Sequence, residues 1–211
     1  MQVKTIGFEG VSCVGKTTLL ERLNDYFEIV PEFTEVPKHL KGVEKHKYFL
    51  EKNHASLMPE GFDSDKDILC FDRTIISTIV YTSVLDKLNN TNYFTQLVEE
   101  FSELLVYPKY YPQLIILLNI DQVNTPTRIE NKFNNLGSDW NNSQFLNLFD
   151  RSINYFIKNI LPSEYVIVET SGKDINQLFE ECRSLIDTFE PKQNAFELVS
   201  PELLLTLEEI I

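Results

Sequence analysis

Positive charge is scarce in this chain. Nineteen Lys and Arg stand against 32 Asp and Glu over 211 residues, a formal net charge of −13. Proteins that coat a phosphate backbone do so by displacing counterions with Lys and Arg, so the deficit argues against nucleic acid as a partner. Long apolar runs are missing too. The longest covers residues 114–118, far short of the roughly 20 residues that cross a bilayer, and no membrane partner is expected. No leader-like stretch stands ahead of the first apolar segment, which starts close to Met1. Cysteine is sparse: Cys13, Cys70 and Cys182 are odd in number and far apart, which suits reduced thiols rather than a disulfide framework. These absences leave a cytoplasmic, acidic chain of ordinary hydrophobic content (43%), long enough for a single domain.

Apolar, strand-like runs at 3–9, 27–30, 68–72, 114–119 and 165–169 alternate with longer segments of helical period. That alternation predicts an α/β fold with a parallel sheet covered on both faces. The stripe Leu19, Leu20, Leu23, Tyr26, Phe27 has helical spacing, as do Leu97, Phe101, Leu104, Leu105 and Phe149, Ile153, Phe156, Ile157, Ile160. All three read as core faces. Residues 131–147 hold six asparagines with Gly137, Ser138 and Asp139, and predict a polar loop between helices. The domain is expected to span residues 1–189. The remainder, 190–211, is a tail that either folds back on the domain or meets a second subunit in a homodimer.

The sharpest signal is Gly10-Val11-Ser12-Cys13-Val14-Gly15-Lys16-Thr17, followed by Thr18, which satisfies G-x-x-x-x-G-K-[ST] at every fixed position. It follows an apolar strand and opens a helix, as the chemistry requires. Glycines let successive backbone N–H groups of residues 10–18 turn inward at phosphate oxygens, and the helix N-terminus adds its positive dipole end. Lys16 then reaches the β- and γ-phosphates of ATP, and the Thr17 hydroxyl holds Mg²⁺. The motifs of a switch GTPase are absent: no Asp precedes any glycine by three residues, and Asn131-Lys132 continues as Phe133-Asn134. The strand at 68–72 ends in Asp72-Arg73. Asp72 is placed to bind Mg²⁺ or assist an acceptor, and Arg73 to neutralise charge on a transferring phosphoryl group.

Residues 8–18, from Phe8-Glu9-Gly10 through the loop, resemble the opening of thymidylate kinases and, less closely, of deoxynucleoside kinases. Asp72-Arg73 with Ser77 and Tyr81 is similar to the thymidylate kinase segment that runs Asp-Arg, Ser, aromatic. Weaker likeness follows in Pro112 to Asn119, Asp121 and Arg128, and in residues 165–169. The resemblance implies a three-layer P-loop NTPase fold with a five-stranded parallel sheet flanked by helices. It further implies ATP and Mg²⁺ as co-substrates, a helical lid near 128–147 that carries Arg128 inward, and a small acceptor, a nucleoside or nucleoside monophosphate. Departures narrow it. Where thymidylate kinases carry Glu-Pro-Gly-Gly, this chain has Pro31-Glu32-Phe33-Thr34-Glu35. Pro31-Glu32 resembles the second-strand ending of nicotinamide riboside kinases, while deoxynucleoside kinases place Glu, not Asp, before the third-strand arginine.

Glu32, and after it Glu35, falls at the carboxyl edge of the sheet, where ligands bind in open α/β folds, and is a candidate proton acceptor. Residues 38–54 carry five lysines and three histidines against two glutamates. Lys38, Lys41, Lys45 and Lys52 fall on one face of a predicted helix; Lys38 or Lys41 is the candidate for an acceptor phosphate. The histidine spacing does not suit a metal site. The few cations are thus expected to converge on one edge of the sheet, with the acidic excess elsewhere. The alternative is a nucleotide-binding regulatory protein without an efficient acceptor site.

Overall fold

A computed structural model describes residues 3–56, 66–102, 105, 111–120, 139–161, 163–191 and 204–207. The strands are β1 (Lys4–Glu9), β2 (Glu28–Val30), β3 (Ile68–Asp72), β4 (Leu114–Asn119) and β5 (Glu164–Glu169). The helices are α1 (Lys16–Leu23), α2 (Val43–Ser56), α3 (Ile75–Asn89), α4 (Tyr93–Glu100), α5 (Ser143–Asn159) and α6 (Ile175–Thr188). A 3-10 turn, Asp139–Asn141, precedes α5.

All four strand pairings are parallel, and the sheet order is β2-β3-β1-β4-β5. The predicted fold class therefore stands: a five-stranded parallel sheet flanked by helices. β1 is central and pairs with β3 through Ile6↔Cys70 and with β4 through Phe8↔Ile116. The chain order runs in opposite directions from β1, so the segment leaving β1 lies at the topological switch point. β1, β3 and β4 are interior strands, and the runs of β3 and β4 are accordingly apolar on both faces. The helices form two contact groups, α1 with α6, and α3 with α2, α4 and α5.

Three sequence expectations need correction. The first helix ends at Leu23, not Phe27, because Asn24 and Asp25 are weak helix formers and the N–H groups of Tyr26 and Phe27 both turn back to the Leu23 carbonyl. Phe27 remains core, but Tyr26 is 46% exposed and packs beneath the Arg183 guanidinium, 4.0 Å from its ring centre. The polar loop at 131–147 gives way earlier than expected: Asn142 caps α5 by accepting from the N–H groups of Gln144 and Phe145. The second helix begins at Val43, so Lys38 and Lys41 precede it, exposed, and share no face with Lys45 and Lys52. Leu204 and Leu207, in the tail, are fully buried in this chain's own core. Among the described residues no helix is long and apolar enough to cross a membrane.

Gly7 is required by packing rather than by backbone conformation. A Cβ there would stand 2.8 Å from Pro112 Cγ and 2.9 Å from Ile115 Cδ1, and the proline ring cannot rotate away. Gly7→Ala is expected to destabilise the fold by about 1–3 kcal/mol, the range for overpacking a dense core, measured as a lowered midpoint in a urea titration. A stability equal to wild type would show that the β1–β4 contact is looser than described.

Candidate active site

Gly10 (φ +145°), Cys13 (φ +68°) and Gly15 (φ +103°) turn the chain between β1 and α1. At Gly10 a side chain is excluded, since its Cβ would lie 2.5 Å from the Leu118 carbonyl oxygen. Gly15 occupies the N-cap of α1 and offers no side-chain acceptor, so the first-turn N–H groups remain for an anion. Val11, Ser12, Cys13, Gly15, Lys16, Thr17 and Thr18 line a cleft of about 240 Å³. Gly10 and Val14 do not line it; the Val14 side chain is buried in the core and the Gly10 carbonyl is turned to Arg73. This cradle fits the phosphates of a nucleotide, and the exposed Thr17 hydroxyl is free to reach a phosphate-bound Mg²⁺. Among the described residues no cluster of three His, Cys, Asp or Glu could hold a metal by itself.

Lys16 is buried and contacts the Asp72 carboxylate at the end of β3. Burial holds its ammonium below the usual range and Arg73 adds to this, against the opposing pull of Asp72 and Glu32. Arg73 takes a left-handed backbone conformation (φ +68°) and donates its N–H to Phe8 O at 3.1 Å. Its Nη1 donates to Gly10 O (3.1 Å) and to Ser77 Oγ (3.0 Å), and its Nε lies 3.1 Å from Glu32 Oε1. The guanidinium lies over Trp140, 5.1 Å from the ring centre.

A second cleft, about 210 Å³, opens on the other side of Glu32 and Arg73. Its walls are aromatic (Phe33, Phe49, Tyr81, Trp140) with polar groups from α2 and α3 (Lys45, His46, Asn53, Ser77, Thr78). Glu32, Arg73 and Trp140 line both clefts. Of the cations expected to converge, Lys16, Arg73 and Lys45 do so. Lys38 and Lys41 line neither cleft, and Lys52 lies over the Tyr48 ring. Glu35 is exposed and lines neither. Arg128, with lid residues 128–138, lies outside the described residues.

Two residues escaped the sequence reading. Glu9 is fully buried at the end of β1, where it accepts from Thr74 N (2.9 Å), Thr74 Oγ1 (2.7 Å) and Ser77 Oγ (2.5 Å). Burial raises its pKa, opposed by Arg73, the hydrogen bonds of Ser77 and Thr74, and Lys16. An acidic residue closing the apolar second half of β1 was the available signal. His46, weighed only as a metal ligand, is a buried wall of the second cleft. Its pKa is lowered to about 4 by burial first and by Lys45, with Asp86 and Asp139 opposing.

No protein-family model matches the chain, and no curated protein matches it by sequence. Solved structures do. The fold is that of nucleoside and nucleotide kinases of the P-loop type. The structure of deoxyadenosine kinase from M. mycoides with bound dATP matches with a TM-score of 0.67 and 16% identity, covering 87% of this chain and 100% of that one. Thymidylate kinase from Candida albicans matches with a TM-score of 0.66 and 18% identity, over 94% of this chain and 99% of that one. Thymidylate kinase from Ehrlichia chaffeensis matches at 0.59 and 16%, over 88% and 100%.

His46 makes stability depend on pH in a defined direction. The unfolded chain takes up a proton near pH 6.5, the folded one only near 4, so His46 costs stability progressively as pH falls through that window. Glu9, raised, acts in the opposite sense, its contribution fading as pH rises above its ordinary value of 4.5. The His46 share is isolated by comparison with His46→Gln. Between pH 7 and pH 4, denaturant titrations should show the stability difference moving toward the variant by up to about 3 kcal/mol. A constant difference would mean that His46 titrates as an exposed histidine does.

Proposed function

We propose that this chain is an ATP- and Mg²⁺-dependent kinase whose acceptor is a hydroxyl of a nucleoside. The observation that carries the reading is the Glu32 carboxylate, paired with Arg73 at the junction where a phosphate cradle and an aromatic-walled cleft meet. A hydroxyl acceptor needs a proton acceptor at that junction, and Glu32 is one. A monophosphate acceptor would instead bring a charge of about −1.5 to −2 beside that carboxylate. Among the described residues lining the second cleft only Lys45 and Arg73 are cations. The M. mycoides deoxyadenosine kinase, described with products dCMP and a flexible dCDP bound, supports a nucleoside acceptor. The thymidylate kinases support the monophosphate alternative.

When bound, ATP–Mg²⁺ supplies the phosphoryl group and leaves as ADP. Backbone N–H groups of the loop and Lys16 would hold the phosphates, Thr17 would offer its hydroxyl to the metal, and Asp72, which contacts Lys16, would be a further candidate for it. Glu32 takes the hydroxyl proton as the acceptor oxygen bonds to the γ-phosphorus and the β–γ bridging bond breaks. Arg73 would offset the charge that develops on the equatorial oxygens; Arg128, expected to share this role, lies outside the described residues. The protein contributes position and electrostatics, with no covalent intermediate.

Lys16→Ala is expected to lower phosphoryl transfer by ~10²–10³, as loss of one preorganised charge does, in assays over paired panels of nucleosides and their monophosphates. Glu32→Gln should lower kcat by ~10²–10⁴ with little change in KM. Transfer to monophosphates alone would overturn the nucleoside assignment. ATP hydrolysis that no acceptor accelerates would overturn the kinase reading in favour of a regulatory nucleotide-binding protein.

A further inference from the structure

Behind the second cleft runs a hydrogen-bond chain from His46 through Thr82 to the Thr78 carbonyl. His46 Nδ1 lies 3.0 Å from Thr82 Oγ1, and the Thr82 hydroxyl donates its proton to the Thr78 carbonyl at 2.8 Å. A hydroxyl has one proton. With that proton on the Thr78 carbonyl, Thr82 accepts from His46, and the hydrogen-bond pattern assigns the hydrogen to Nδ1. A neutral imidazole has a single N–H, which leaves Nε2 a bare acceptor. Burial first, and Lys45 with it, favours the neutral ring at pH 7 against the opposing pull of Asp86 and Asp139.

The ring is also held in place. Tyr81 and Tyr93 flank it at 6.1 and 5.6 Å between ring centres, tilted by 35° and 31°. Tyr81 is itself tied by its hydroxyl to Asp139 Oδ2 at 2.5 Å. With the Nδ1 edge on Thr82 and the faces against tyrosines, the edge left to the cleft is that of Nε2. Among the described residues no hydrogen bond engages it.

Resting on the nucleoside-kinase reading, we infer that His46 is a specificity-determining residue that accepts a hydrogen bond at Nε2 from an N–H of the acceptor's base. The substrate class is then a nucleoside whose base carries a free ring or exocyclic N–H facing α2. The aromatic walls stack the base, and His46 selects for a donor on its edge. An analogue without that N–H leaves Nε2 desolvated and unpaired, a loss equivalent to roughly 5–150-fold in affinity.

Protein labelled with ¹⁵N-histidine tests this without turnover. Its spectrum should show His46 with Nδ1 protonated and Nε2 bare; a protonated Nε2 in the neutral ring overturns the proposal. Titration without ATP then compares thymidine, deoxycytidine and deoxyadenosine with their N3-methyl, N4,N4-dimethyl and N6,N6-dimethyl analogues. At least one parent should bind, shift the Nε2 resonance and exceed its methylated partner tens-of-fold in affinity. His46→Met should bind both members of that pair alike, whereas His46→Gln, which keeps an acceptor, should retain most of the preference; thermal melts verify that each variant is folded. Equal binding of the pair by wild type, or undiminished preference in folded His46→Met, overturns the inference. The two readings fail separately. Nucleosides bound through Nε2 but never phosphorylated sink the kinase, and nucleosides phosphorylated without regard to methylation sink the role of His46.

Discussion

A single buried carboxylate organises the functional end of this molecule. Glu9 closes β1 where the chain must turn out of the sheet, and its oxygens accept from the Thr74 N–H, the Thr74 hydroxyl and the Ser77 hydroxyl. An unpaired carboxylate at that depth would be prohibitive, so the three donors have to be present for the strand to end there. Their supply dictates where α3 begins. Thr74 also caps that helix, accepting from the Ile76 N–H, so one residue joins the strand end to the helix start. The phosphate loop and the first turn of α3 are thereby one rigid unit.

Arg73 is trapped between the two anchored ends, and this explains its left-handed backbone. Such a conformation costs on the order of 1–3 kcal/mol for a residue with a side chain and persists only where surroundings over-determine it. Here the Phe8 carbonyl, the Gly10 carbonyl, Ser77, Glu32 and the Trp140 face all claim some part of the residue. The result is a cation delivered to the partition between two clefts rather than to solvent. Glu32, on the loop after β2, has no comparable backbone anchor and depends on Arg73 for its place. Charge at the partition is thus arranged in sequence: Glu9 fixes the turn, the turn aims Arg73, and Arg73 positions Glu32.

Strands were legible because buried parallel strands have nothing to alternate against, and the continuous apolar runs at 68–71 and 114–118 fall within β3 and β4. The turn between β1 and α1 was legible because its backbone geometry tolerates few residues, Gly10 above all. What stayed hidden depended on long-range partners. Lysine spacing suggested one helix face from residue 38, but Pro37 and Gly42 break the segment, and only Lys45 reaches the cleft. Glu9 looked like part of a motif rather than a structural centre, because its donors lie more than 60 residues away. His46 was tested against metal-ligand spacing alone, and its partner Thr82 is 36 residues distant.

Helix α3 shows why the two clefts form a single device. It is buried on nearly every side, an environment that ordinarily selects apolar residues all round. It nevertheless carries Ser77, Thr78 and Thr82, buried and hydrogen-bonded, at spacings that keep them on neighbouring turns. Ser77 serves Glu9 and Arg73 at the phosphate end, Thr78 receives Asn53, and Thr82 fixes His46. Each hydroxyl is a desolvation cost that a leucine or valine would avoid. Removing any one of them would take a hydrogen bond from its buried partner, Glu9, Asn53 or His46. Their positions run along the helix from the charged partition to the aromatic cleft, so both ends of an acceptor would be gripped by one rigid rod. That rod starts at the turn that Glu9 fixes, which would tie recognition of the proposed acceptor to the same constraint that shapes the loop between β1 and α1.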